Sequence, residues 1–229
     1  IFSMKKQLTV VAILILGFIF LNLLNTEAQA EPQFLVTWKT LSYVPPDFEG
    51  KAMPKEGSDI NVSFEILENG KVADLSKQII YWYLDNNFVK GGQGIQNLAF
   101  TVSKPAQGNH NLRIQLPDFR GNLLIKTLDI PIVRPEVVIE APLPDKKISG
   151  SKINLAGKPY FFNAQNQSLL DFNWTVNGQS PDSLDNPQNL EINLGNSSGN
   201  GVLNISLKIQ NQDVISESAF KTISLIFAK

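Results

Sequence analysis

The sequence predicts an all-β protein built as two tandem β-sandwiches, and three observations carry that expectation. Beyond residue 30 the apolar residues recur with a period of two, and no segment shows a convincing helical period. The alternating runs end in clusters of Asn, Asp and Gly, the residues of tight turns. The chain also repeats itself: YWYLDNNF (81–88) is echoed by DFNWTVNGQ (171–179), with Trp174 lying 92 residues after Trp82.

The echo has five anchors in one order. Trp82 matches Trp174, and Asn97-Leu98 matches Asn189-Leu190, both at an offset of 92. GSDIN (57–61) matches GSKIN (150–154) at 93. Leu112, Ile114 and Leu116 match Leu203, Ile205 and Leu207 at 91, and Thr127-Leu128 with Ile130 matches Thr222-Ile223 with Leu225 at 95. Self-similarity with so little drift marks a duplicated domain.

The first thirty residues are not read as fold. Met4-Lys5-Lys6 is a basic start, Val10 to Leu21 is an apolar run, and Ala28-Gln29-Ala30 supplies the two small side chains that signal peptidase accepts. Residues 1–30 therefore read as a secretory signal peptide cut after Ala30. The alternative is an uncleaved anchor over residues 8–24, which is 17 residues long and at the short edge of what spans a bilayer. In both cases the lysines stay cytoplasmic and the rest is extracytoplasmic, either secreted or at the cell surface.

Residues 31–134 form the first expected domain. Ile60, Val62, Phe64 and Ile66 alternate with polar residues before Glu68-Asn69-Gly70, and Ile80, Trp82 and Leu84 do so before Asp85-Asn86-Asn87. Leu112, Ile114 and Leu116 precede a turn over Pro117 to Asn122, and Leu128, Ile130 and Ile132 follow it. Gly91-Gly92-Gln93-Gly94 is expected to be a mobile turn; no Lys-Ser/Thr follows, so it is not a phosphate loop. Residues 135–229 form the second domain, with alternating runs around Trp174, Ile192, Ile205 and Leu225. Arg134-Pro135 joins the two without a Gly/Ser linker, which predicts a semi-rigid rod.

GNHNLRIQLPDFRGN (108–122) resembles the G-x-H-x-L-x-I…D-x-x-G-N run of bacterial immunoglobulin-like and PKD-like domains, and a Trp on the third strand fits the same family. The resemblance covers about 34–134 directly and 135–228 through the repeat. In place of the WDFGDG-type PKD signature the chain has WYLDNN and WTVNGQ. The resemblance implies immunoglobulin-like sandwiches with Trp82 and Trp174 in the two cores. It also implies a hairpin turn shaped by Asp118 and Asn122.

Composition narrows the function. Without residues 1–30 the chain keeps 18 basic and 20 acidic residues, a net charge of −2, which leaves no basic footprint for nucleic acid. It has no Cys, so each domain must hold together by core burial, which needs roughly 100 residues. The absence of Cys is also common in bacterial surface proteins.

Catalysis is not expected. His110 is the one His, there is no Cys and no G-x-S-x-G elbow, so a Ser/His/Asp or Cys/His arrangement has at most one base, and a zinc site has no second His or Cys to join it. His110 reads as a packing or turn residue. Asp47, Glu49, Glu56 and Asp59 around the 43–56 loop, and Asp182 with Asp185, lack EF-hand spacing and read as solvated loop acids. No cofactor and no metal is implied.

One difference between the copies points to a surface. If Ile80, Trp82 and Leu84 face the core, Tyr81 and Tyr83 face outward, where the second copy has Asn173 and Thr175. In an immunoglobulin-like sheet the sixth strand lies beside the third, which brings Arg113 and Gln115 alongside the tyrosines. Such a face can stack on sugar rings or serve as a protein hot spot. The structural alternatives are that Tyr suits an exposed strand position, or that the 43–56 loop covers it. The sequence thus points to a non-catalytic, exported bacterial surface or envelope protein acting as an adhesion, interaction or spacer module. A carbohydrate-binding module using the Tyr81/Tyr83 face is the alternative; the partner would be a protein or a cell-envelope polysaccharide.

Overall fold

The computed structural model describes residues 31–103, 108–143, 145, 147–148, 150–195 and 200–227. The leader, its Ala28/Ala30 cleavage positions and the 8–24 span lie outside the described residues. Among the described residues no helix is long and apolar enough to cross a membrane. The described residues are all-β, arranged as immunoglobulin-like β-sandwiches, with a single 3-10 turn among them over Gln167–Leu169.

In the first half, β1 (Gln33–Thr40), β2 (Asp59–Glu68) and β3 (Lys71–Val72) lie in that order, with β6 (Asn97–Thr101) also paired to β2. The other sheet runs β5 (Asn87–Gln93), β4 (Ile79–Leu84), β7 (Asn109–Phe119) and β8 (Asn122–Pro131). Compactness sets 65–73 with the start of β1 apart as a small unit, and places 36–64 with 74–229 in the other. Within the small unit Leu67 and Glu68 pair with Val72 and Lys71. Asn69 and Gly70 both have positive φ there (48° and 74°), as a two-residue type I′ turn requires. Everything described from here on belongs to the larger unit.

There Ile60, Val62 and Phe64 of β2 turn inward, and the Phe64 ring meets Trp82 of β4 edge-on at 5.5 Å. Ile80, Leu112, Ile114, Leu116 and Ile130 complete the buried face of the opposite sheet.

The second half repeats the plan. β9 (Glu136–Glu140), β11 (Lys152–Tyr160) and β13 (Asn189–Asn193) form one sheet in the order β13-β11-β9. β10 (Lys147–Ile148), β15 (Ser218–Phe227), β14 (Gly201–Asn211) and β12 (Leu170–Val176) form the other, with β10 parallel to β15. Ile139, Ile153, Leu155 and Leu190 from one sheet share a core with Trp174, Ile205, Leu207 and Leu225 from the other.

Both tryptophans are buried, and each indole Nε1 donates to a main-chain carbonyl 13 residues later. The acceptors are Ile95 O at 2.8 Å and Pro187 O at 2.9 Å. The same hairpin turn follows each strand: Asp85-Asn86 and Asn177-Gly178 all have positive φ. One registration differs from the sequence match. Trp82 stands opposite Ile114 but Trp174 stands opposite Leu207, an offset of 93 rather than 91. The 91-residue match shifted this strand by one inward position, because leucine and isoleucine repeat along it with no feature to fix the phase.

Gly91-Gly92-Gln93 is not the mobile turn the sequence suggested. It is the end of β5, paired to Tyr81, Ile80 and Ile79, with positive φ at Gly92 (152°) and at Gly94 (68°) just beyond it. Glycine reads as a breaker in sequence, yet on an edge strand it also admits a neighbouring ring. Asp118 does shape the β7–β8 turn, its Oδ1 accepting from Gly121 N–H at 2.8 Å.

The 41–58 segment binds the second sandwich, which the sequence did not reveal. Tyr43 forms a two-way antiparallel bridge with the Phe161-Phe162 backbone, and its hydroxyl donates to Gln167 Oε1 at 3.1 Å. Phe48 meets Tyr160 and Phe161 edge-on. Asp47 accepts from Lys158 Nζ at 3.0 Å, so this acid is paired rather than simply solvated. That bond holds the Asp47 carboxyl below its ordinary range and Lys158 above its own. Burial raises the Tyr43 and Tyr160 hydroxyls. Lys55 reaches Glu217, whose carboxylate also accepts from Asn163 N–H and Asn211 Nδ2.

Candidate functional site

The outer face of the β5-β4-β7-β8 sheet carries the candidate residues named from sequence. Alternation on β4 sends Ile80 and Trp82 inward, which leaves Ile79, Tyr81 and Tyr83 on the opposite face. On β7 the buried residues are His110, Leu112, Ile114 and Leu116, so Asn111, Arg113 and Gln115 share the tyrosines' face. Strand pairing then places Tyr81 opposite Gln115 and Tyr83 opposite Arg113. All four residues named from sequence come together on adjacent central strands. The 43–56 loop engages the second sandwich.

What lies against the tyrosines is local. The Arg113 guanidinium carbon sits 4.2 Å from the centre of the Tyr83 ring, a cation–π stack. Phe88 of β5, 60% exposed, meets Tyr83 at 5.8 Å and Tyr81 at 6.1 Å, edge-on to both. Tyr81 leans over Gly91, where a Cβ would stand only 2.5 Å from ring Cδ1. A side chain at position 91 would therefore displace the ring. Ile125, opposite Gln115 on β8, and Ile79 extend the face with half-exposed aliphatic surface.

Phe88 and Gly91 were missed by sequence reasoning. Their signal was present in the β4–β5 hairpin, since residues opposite each other across a two-residue turn share a face. A bulge between Trp82 and Tyr83 shifts that register and hides it from simple counting.

The Arg113 Nε is buried and has no hydrogen-bond partner among the described residues, and the guanidinium has no carboxylate within salt-bridge distance there. The arrangement has no twin in the second sandwich. By strand register the equivalents of Tyr81, Tyr83, Arg113 and Gln115 are Asn173, Thr175, Ser206 and Lys208.

His110 lies behind this face as a structural residue. It is fully buried, its Nδ1 is 2.7 Å from Asp85 Oδ2, and Phe100 meets its ring edge-on at 5.4 Å. Asp85 Oδ1 accepts from Asn111 N–H at 3.0 Å, tying the β4–β5 turn to the start of β7. Among the described residues no group of three His, Cys, Asp or Glu side chains converges to hold a metal ion.

No protein-family model matches the chain, and no curated protein matches it. Several solved structures are similar. Fibronectin(III)-like modules of Clostridium thermocellum CbhA share 14% identity over 85% of this chain and 93% of that one, with a TM-score of 0.29. Three N-terminal domains of the bacteriophage RB49 outer capsid protein Hoc share 10% over 86% of this chain and 59% of theirs, at 0.44. The central fibronectin-III array of RIM-binding protein shares 11% over 90% and 66%, also at 0.44.

Proposed function

We propose that this chain is a non-catalytic, exported interaction module of a bacterial surface or envelope, and that it engages its partner through the outer face of the β5-β4-β7-β8 sheet. The observation that carries the reading is the cluster of Tyr81, Tyr83, Phe88, Arg113 and Gln115 on one exposed sheet face. Aromatic residues and Arg are the side chains that most often dominate binding energy. Here they are held by strand pairing and ring contacts, so little side-chain entropy is lost on association. The second sandwich presents Asn173, Thr175, Ser206 and Lys208 at the same places, with no aromatic ring among them, which suits a spacer or a support.

The face serves adhesion better than chemistry. It is an open sheet surface carrying the Arg113 cation, two phenols and the Asp129 carboxylate, which accepts from Asn111 Nδ2 at 2.8 Å, and it offers no nucleophile–base pair. The basic start and apolar run of residues 4–21 support export.

The test is binding of the labelled protein to whole bacterial cells and to isolated envelope, with a Tyr81→Thr/Tyr83→Thr variant alongside. Saturable binding that the variant loses while keeping its thermal midpoint supports the reading. Equal binding by both proteins would remove the face from the account.

A further inference from the structure

We propose that the ligand of this face is an acidic polysaccharide, and that Arg113 recognises its carboxylates. The inference rests on the interaction face argued above and names the chemistry it selects.

The argument starts from the Arg113 side chain. A guanidinium is always charged and presents planar donors, and in a folded protein it normally meets a carboxylate. Arg113 instead stacks on Tyr83, with a buried Nε that no described residue serves. Stacking fixes the plane of the fork before any ligand arrives. It leaves a charged donor group at the centre of an exposed face, between Gln115 two residues along β7 and the tyrosines of β4. A fixed planar cation with adjacent amide and phenol groups matches a carboxylate, which accepts two parallel hydrogen bonds.

The remainder of the face selects a sugar acid over an acidic peptide. Tyr81 leans over Gly91, and Phe88 walls one side. A ring set down on backbone in this way is a platform for the C–H face of a pyranose. Gln115, paired to Tyr81, and the tyrosine hydroxyls supply donors and acceptors for the hydroxyl rim of such a ring. A uronic acid combines the apolar ring face, the hydroxyl rim and the carboxylate in one unit. An acidic peptide brings carboxylates on flexible stems and nothing flat to lie on Tyr81.

The experiment titrates the purified protein with sodium polygalacturonate, with its fully methyl-esterified form, and with poly-L-glutamate, at low and at high salt. Parent, Arg113→Gln, Arg113→Lys and Tyr81→Thr/Tyr83→Thr are compared, each checked by thermal midpoint. The expected result is saturable, salt-weakened binding to polygalacturonate. Esterification and Arg113→Gln should each weaken it by about tenfold or more, the scale of a lost charge-assisted pair. Arg113→Lys should recover only part of the affinity, because an ammonium lacks the fork. Preference for the esterified polymer, equal binding of poly-L-glutamate, or no binding of polygalacturonate would each overturn the proposal. If the esterified polymer binds and the tyrosine variant abolishes it, the face stands and only the acidic ligand falls. If every variant binds polygalacturonate as the parent does, the face falls as well.

Discussion

Lys55 and Glu217 form an ion pair across 162 residues of sequence: Lys55 Nζ lies 3.3 Å from Glu217 Oε1, and the glutamate side chain is 1% exposed. Asn211 Nδ2 donates to Oε2 at 2.6 Å and Asn163 N–H to Oε1 at 2.7 Å, so the carboxylate is saturated on both oxygens. The pair draws the segment after Tyr43 onto the second sandwich. Removing the cation leaves a buried anion with its hydrogen bonds but without compensation. Lys55→Met should therefore lower stability by about 1–3 kcal/mol, and Glu217→Ala by more, since three donors then lose their acceptor. Urea unfolding measures both. Losses within about 0.5 kcal/mol would show that the pair is no more than a surface contact.

The Asp47–Lys158 bond gives a pH dependence with a defined sign. The folded-state value of Asp47 is lowered, first by the hydrogen bond from Lys158. The bond's contribution is then present above the ordinary carboxylate range and is lost as pH falls through the lowered value. For Lys158, raised first by the same bond, the contribution is present below the ordinary lysine range and is lost as pH rises through the raised value. A thermal-melt series of Asp47→Asn against the parent should show a constant offset at neutral pH. That offset should close in strong acid and again in strong alkali. An offset independent of pH would contradict the assignment.

The tryptophan hydrogen bonds should be of similar worth in the two sandwiches. Trp82→Phe and Trp174→Phe each remove an indole donor from a part-buried hydrogen bond and leave a small void. Each should cost about 2–4 kcal/mol by urea unfolding. A loss at one site only would show that the copies diverged in how they use this residue.

Gly91 tests the face without touching a ligand group. Gly91→Ala places a methyl only 2.5 Å from Cδ1 of Tyr81 and must push the ring aside. Binding to envelope should fall several-fold, while the fold, which needs no positive φ at this position, keeps its thermal midpoint within a few degrees. Unchanged binding would mean that the position of the Tyr81 ring is immaterial.

Much of this was legible in sequence. Trp82 and Trp174, with their flanking alternation and the Asn/Gly turns, announced paired sandwiches because period-2 burial and turn chemistry are local signals. Tyr81 and Tyr83 could be placed on the outer face for the same reason, and the resemblance to immunoglobulin-like sheets brought Arg113 and Gln115 beside them. The phase of β14 could not be read, since its inward residues from 203 to 209 are all leucine or isoleucine. Phe88 and Gly91 were hidden by a bulge that changes register without leaving a motif. The Tyr43, Lys55 and Glu217 contacts were invisible because they join loops whose residues look like solvated polar sequence until the fold brings them together.

The central claim is that the outer face of the β5-β4-β7-β8 sheet binds the partner. Its most direct test is calorimetric titration of isolated envelope polysaccharide into the parent and into Tyr81→Thr/Tyr83→Thr at matched thermal stability. The account predicts saturable heat for the parent and none for the variant. Equal isotherms for the two proteins would contradict it and move the search for a binding surface elsewhere on the chain.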